Sequence, residues 1–240
     1  MVSTSLLNRL GKLSGQLAGI LLPQACVLCG SHGSTTPICS ACAAELPWLG
    51  LLHCPVCALG TPQGGICGEC LNRTRHFDHT VAAWDYHWPI DRLIPAWKYR
   101  GQLSLTKPLS DGLLSRIKLT ADRPELLLAM PLHVKRQRER GFNQAGELAK
   151  QLGRQLGIEV DLTRLARPHE SAPLASLPWS ERRKAIKGAF ALHGDVHGKH
   201  IALIDDVMTT GASLDELARL LKQAGARRVD CWVLARTQKA

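Results

Sequence analysis

Eight of the nine cysteines fall into four C-x-x-C pairs, Cys26/Cys29, Cys39/Cys42, Cys54/Cys57 and Cys67/Cys70, and the second four repeat the first at an offset of 28 residues. Two thiolates three residues apart bind one metal ion from a tight knuckle, and two knuckles complete a tetrahedral shell of four sulfurs. The spacing predicts two zinc sites, and they read as structural, because four cysteine ligands leave no open coordination position for a substrate. Nine residues separate the pairs within each repeat. That is too little apolar material for a core, so ligation must supply the stability. Redox C-x-x-C chemistry and disulfides are the competing readings. A duplicated unit most simply carries one complete site per copy, which favours sequential grouping over a cross-brace of alternate pairs. Cys231 stands apart in the apolar run 229–235 and reads as an inert core residue.

The second chemical signal lies at 201–213. An apolar run of strand length, Ile201-Ala202-Leu203-Ile204, ends in Asp205 and Asp206 and passes through Val207, Met208, Thr209, Thr210, Gly211, Ala212 and Ser213. Backbone N–H groups from Met208 to Ser213, at the incoming end of a helix, can surround a phosphate, and Gly211 permits close approach. Thr209, Thr210 and Ser213 add hydroxyl donors. Asp205 and Asp206 can accept hydrogen bonds from vicinal ribose hydroxyls, directly or through hydrated Mg²⁺. Together these groups suit a ribose 5-phosphate. Neither a Walker A sequence nor G-x-G-x-x-G is present.

The elements that must position these groups follow from periodicity. Leu214, Leu217, Ala218 and Leu221 mark a helix after the loop, Ala224-Gly225 stops it, and 229–234 reads as the next buried strand. This is a parallel α/β unit with its loop at the carboxyl end of a strand. Further strands are expected near 126–130, 162–165 and Phe190, and a helix over 146–157 with Leu148, Leu152 and Leu156 in the core. The charge is uneven: residues 1–72 balance to zero, so the whole formal +10 lies in 73–240. The expected organisation is an amphipathic helix over 1–22, a double zinc-ribbon-like domain over 23–72, a linker or hood segment over 73–100 and an α/β domain over 101–240. Asn8, Arg9 and Lys12 interrupt the leucines of the first segment. Neither an export signal nor a membrane span is expected, and the expected location is the cytoplasm.

The run at 201–213 resembles the binding loop of type I phosphoribosyltransferases, which holds phosphoribosyl pyrophosphate. With the four C-x-x-C pairs, Lys98-Tyr99-Arg100-Gly101, Met130-Pro131-Leu132, Arg140-Gly141-Phe142-Asn143-Gln144-Ala145, Glu181-Arg182-Arg183 and Gly188-Ala189-Phe190 in order, the chain from Cys26 onward is similar to the ComF/GntX family. The resemblance implies a type I phosphoribosyltransferase-like parallel sheet flanked by helices, behind a small four-cysteine zinc-ribbon-like unit. It implies a phosphoribosyl site at Asp205, Asp206 and 208–213, with Mg²⁺ accompanying phosphoribosyl pyrophosphate. Where the family commonly has Gln and Asn around the Glu-Arg-Arg segment, this chain has Leu174 and Ala185 in the corresponding stretches. The departure bears on transfer more than on binding.

Phosphoribosyl transfer expels pyrophosphate from an anomeric carbon through an oxocarbenium-like transition state, so cations should surround the leaving group. Lys98, Arg100, Lys135, Arg136 and Arg140 are the candidates, with His133, Arg138 and the cluster Arg182, Arg183, Lys184, Lys187 beside them. The same cations, with Trp84, Trp88, Trp97 and Trp179, permit single-stranded DNA binding, although tryptophans beside apolar neighbours more often pack in a core. The resemblance adds DNA uptake in competence, or use of DNA as a nutrient, and a protein of the uptake machinery as partner. The expectation is a phosphoribosyl-binding protein that serves DNA handling. An active phosphoribosyltransferase (a glycosyltransferase by class) of unknown acceptor, and a non-catalytic zinc-dependent DNA-binding or assembly module, are the alternatives.

Overall fold

The computed structural model describes residues 25–168 and 186–238. The helix expected over 1–22 lies outside them, as do 171–174, Trp179, 181–184 and Ala185. The chain divides into two compact units, residues 1–46 and 47–240. Among the described residues no helix is long and apolar enough to cross a membrane.

The described part of the first unit is one cysteine repeat. The chain turns at Cys26–Cys29, where Gly30 N donates to Cys26 O at 2.8 Å and Gly30 takes φ +71°. It then returns to a short helix, α1 (Ser40–Ala44), whose N-cap is Cys39.

The second unit opens with the other repeat. Cys54 and Cys57 form its first knuckle, and Cys67 caps α2 (Gly68–Asn72). The chain then runs through β1 (His79–Asp85), α3 (Ile90–Tyr99), a 3-10 turn at Leu103–Leu105 and α4 (Thr106–Thr120). Next come β2 (Leu126–Ala129), α5 (Val134–Arg140), α6 (Gln144–Leu156), β3 (Glu159–Asp161) and β4 (Leu165–Ala166). After the undescribed stretch follow β5 (Ala191–Leu192), β6 (His200–Met208), α7 (Ala212–Gln223) and β7 (Arg228–Arg236).

Five strands form one sheet in the order β1-β7-β6-β2-β3, and every neighbouring pair is parallel. The expected fold class is therefore present, a parallel sheet with flanking helices. β4 and β5 form a separate antiparallel pair. Central strands of a parallel sheet are covered on both faces and read as continuous apolar runs, which is why Ile201–Ile204 and Val229–Ala235 carry almost no polar side chain and are buried. β2 continues through α6 toward β3, while β6 continues through α7 toward β7, in the opposite direction across the sheet. Right-handed connections then put α6 and α7 on opposite faces. The stripe Leu148 and Leu152 of α6 is fully buried, and α6 packs on β2 and β6.

The segment 73–100, expected as a linker or hood, supplies sheet strand β1, in register with β7 from His79↔Asp230 to Asp85↔Arg236. It also supplies α3, whose Ile90, Leu93, Ile94 and Trp97 are buried. The run Val81-Ala82-Ala83-Trp84 is short and lacks the β-branched density of the other strands, so periodicity alone did not mark it. The strand expected at 162–165 is displaced: β3 ends at Asp161, whose carboxylate accepts from the backbone N–H groups of Thr163 and Arg164 and turns the chain.

Candidate functional site

In an open parallel sheet, ligands bind outside the carboxyl ends of the strands, where neighbouring connections leave in opposite directions. Here that point lies between β2 and β6. The loop 205–213 leaves β6 there, and Met130 leaves β2 beside it, its N–H donating to Ile204 O at 2.9 Å.

The loop joins a strand to a helix, as its sequence pattern predicts. Gly211 takes φ +74° as N-cap of α7, a backbone conformation that L side chains rarely adopt, and no side chain caps the helix from that position. The amino end of α7 turns its partial positive charge toward the loop. Thr210 is buried and its Oγ1 accepts from Ala212 N at 3.0 Å. Residues 207–214 with Asp205 line a small concavity of about 40 Å³. Asp205 Oδ1 accepts from Asp206 N, and Asp206 Oδ1 from Val207 N. Burial, followed by the charge of Asp206, pushes the Asp205 carboxyl up to about 7, against the pull of Lys98. Lys98 Nζ lies 2.6 Å from Asp206 Oδ2. Burial disfavours the lysine charge, yet Asp206 outweighs it and holds Lys98 above the ordinary lysine range.

Lys98 also lines a cavity of about 410 Å³ with Tyr99, Gly101, Arg136, Glu139 and Arg140. The acidic pair and a basic cavity therefore meet at one side chain. Of the cations proposed from sequence, Lys98, Arg136 and Arg140 come together there; Arg100 and Lys135 are exposed and do not line it. The stretch expected as a pyrophosphate loop after β2 is helical, with His133 as N-cap of α5. A larger cavity, about 620 Å³, lies beside Cys67 and is lined by none of these residues.

The segment Arg140–Gln144 acts as a bracket around this region. Asn143 caps α6 through Gly146 N and donates to Met130 O at 3.0 Å. Gln144 donates to Lys98 O at 3.2 Å and accepts from Arg140 at 3.1 Å. Arg140 lies 4.7 Å over the Tyr99 ring and donates to its hydroxyl. Sequence reasoning missed Arg167. Burial lowers its pKa, Arg136 adds repulsion and Asp205 opposes both, so it belongs to the same electrostatic neighbourhood. It sits in a stretch with no periodic pattern. Trp84 and Trp97, offered as stacking platforms, are buried. They cannot stack on a base, because Trp84 packs against Gly112 of α4 and the Trp48 ring, and Trp97 bonds Thr106 Oγ1. Trp88 is exposed, as is Tyr99.

The cysteines cluster sequentially. Within Cys26, Cys29, Cys39, Cys42 and within Cys54, Cys57, Cys67, Cys70 all sulfurs lie within 4.8 Å of one another. Sulfurs at the corners of a zinc tetrahedron stand about 3.8 Å apart; Cys29···Cys39 measures 3.8 Å and Cys57···Cys67 3.5 Å. Cys39 N donates to Cys26 Sγ at 3.4 Å. Burial opposes ionisation of Cys26, but N–H groups of Cys39, Cys29 and Leu28 overcome it and bring the thiol down to about 6. Its neighbours Cys39 and Cys29 push Cys42 up to about 12. Four thiolates cannot share one site without a cation, and the donor set and spacing fit a divalent soft one.

The double zinc ribbon domain family matches residues 17–71, and the phosphoribosyl transferase domain family matches residues 138–240. The DNA utilization protein YhgH of Escherichia coli O157:H7 is 32% identical over 230 residues, covering 91% of this chain and 99% of its own. Competence protein F of Haemophilus influenzae is 31% identical over 220 residues, 88% of this chain and 90% of its own. Competence protein ComFC of Bacillus subtilis is 28% identical over 248 residues, 94% of this chain and 100% of its own. Paired four-cysteine sites ahead of a phosphoribosyltransferase-type sheet, shared with these relatives along most of both chains, have one reading: the chain belongs to the ComF family.

Proposed function

We infer that the protein binds phosphoribosyl pyrophosphate with Mg²⁺ at 205–213 and serves DNA uptake or DNA use in the cytoplasm. The observation that carries this reading is the acidic pair at the end of β6, followed at once by the glycine-led amino end of α7, at the switch point of the sheet. Thr209, Thr210, Ser213 and the N–H groups of 208–213 would hold the 5-phosphate, and Asp205 and Asp206 the ribose hydroxyls. Lys98, Arg136 and Arg140 face the cavity that a diphosphate would enter. Mg²⁺, when bound, would neutralise diphosphate charge. Both cysteine clusters would hold zinc as structural ions. The names of the relatives motivate the DNA role.

Calorimetry with phosphoribosyl pyrophosphate and Mg²⁺ tests the site. Wild type should bind, and Asp205→Ala with Asp206→Ala should lose at least tenfold in affinity; equal binding by both proteins refutes the assignment. The basic cavity beside the acidic pair favours, as a second reading, an active transferase whose acceptor enters there. Release of pyrophosphate on addition of a nucleobase panel would establish it.

A further inference from the structure

We propose that Arg236 is a positioning residue that ties the second four-cysteine site to the phosphoribosyl loop, so that metal held by that site fixes the direction of the loop's N–H donors. The proposal rests on the phosphoribosyl reading and adds to it a structural reason for one of the two metal sites.

Arg236 ends β7 and is fully buried. Its Nε donates to the carbonyl of Cys57 at 2.7 Å. Its Nη1 donates to Met208 O at 2.9 Å and also to Thr209 O. One planar guanidinium therefore grips a metal knuckle and the root of the loop together. A trans peptide unit is planar, with its N–H opposite its C=O. Drawing the carbonyls of Met208 and Thr209 toward Arg236 turns the N–H groups of Thr209 and Thr210 the other way. Those are donors of the proposed phosphate cradle.

The knuckle is itself fixed from two strands. Thr80 of β1 donates through N to Pro55 O at 3.1 Å and through Oγ1 to Val56 O at 2.6 Å. A metal bound to four thiolates would lock the Cys57 carbonyl in place, and β7 would pass that constraint to the loop over a single side chain. Charge points the same way. A buried guanidinium is costly unless paired, yet all the acceptors of Arg236 are backbone carbonyls. Its Nη2 is buried without an acceptor among the described residues. A divalent ion with four thiolates carries a net double negative charge, and at this site it would stand as a counter-charge close to the guanidinium.

The test is hydrogen exchange on the full-length, zinc-loaded chain without ligand, reading the amides of 208–213. Cys70→Ser and Arg236→Lys should each speed loop exchange at least tenfold, and the double variant should be no faster than the faster single. Cys42→Ser should leave the loop at the wild-type rate. Unchanged exchange in Cys70→Ser, or independent effects that multiply in the double variant, overturns the proposal. Protected amides in β2 and β6 show in the same data that the sheet is folded. If Cys70→Ser unfolds it, cobalt-loaded Cys42→Ser with and without Arg236→Lys decides. The thiolate-to-cobalt absorption band must shift and loop exchange must rise; an unmoved band overturns the tie. Because exchange is read without ligand, loop protection through Arg236 in a protein that binds no phosphoribosyl pyrophosphate sinks the phosphoribosyl reading and leaves the tie standing.

Discussion

The two cysteine repeats are copies in sequence and in local geometry, but they differ in their surroundings. In the first, Cys26 N donates to Ser31 O and Gly30 N to Cys26 O; in the second, 28 residues on, Cys54 N donates to Leu59 O and Ala58 N to Cys54 O. The same knuckle therefore forms twice. Yet Cys29 is exposed while Cys57 is buried and bonded through its carbonyl to Arg236. The first repeat belongs to the small unit and the second to the unit that contains the sheet. One spacing encodes a metal shell, and the residues around it decide whether that shell is a local staple or part of a larger scaffold.

The largest effect expected from this difference is thermal. Cys70→Ser should lose the second metal and lower the melting temperature of the sheet by roughly 10 °C or more, because a buried, multiply bonded knuckle is left without its ion. Cys42→Ser should lose one metal equivalent and leave the melting of the sheet within a degree or two. Metal analysis with calorimetric melting checks both. Equal shifts would erase the distinction.

A smaller effect isolates the anchoring of the second knuckle. Thr80 is fully buried and its hydroxyl donates to Val56 O. Thr80→Val keeps the shape and deletes the donor, leaving the part-buried Val56 carbonyl without this partner, at a cost of about 1 kcal/mol by urea unfolding. A neutral result would show that the β1 contact carries no load.

Much of this was legible in the residues. The cysteine offset foretold two sequential clusters, and Ile201–Ser213 foretold strand, loop and helix, since both signals are local in sequence. The sheet role of β1 was not legible, because a parallel edge strand is defined by a partner more than 140 residues away, from His79 to Asp230. Nor was Arg236. An arginine closing an apolar strand looks like an ordinary exposed terminus, and only the tertiary fold brings Cys57, Met208 and Thr209 to it. Lys98 was on the list of cations, but its pairing with Asp206 depends on where α3 ends.

The smallest effect concerns the turn itself. Gly30 and Ala58 occupy corresponding positions with φ +71° and +57°. Gly30→Ala should cost the first repeat about 1 kcal/mol, the usual penalty for a side chain in the left-handed region. Ala58→Gly relieves that strain but gives up a buried methyl, so the second repeat should change by less than about 1 kcal/mol. Metal-affinity competition for each site reads the two values.

The most direct measurement is a calorimetric titration of wild type, Cys42→Ser and Cys70→Ser with phosphoribosyl pyrophosphate and Mg²⁺. Wild type and Cys42→Ser should bind alike, and Cys70→Ser at least tenfold more weakly. Absence of binding by wild type would contradict the phosphoribosyl site, and equal affinities in the two cysteine variants would contradict the tie between the second metal site and the loop.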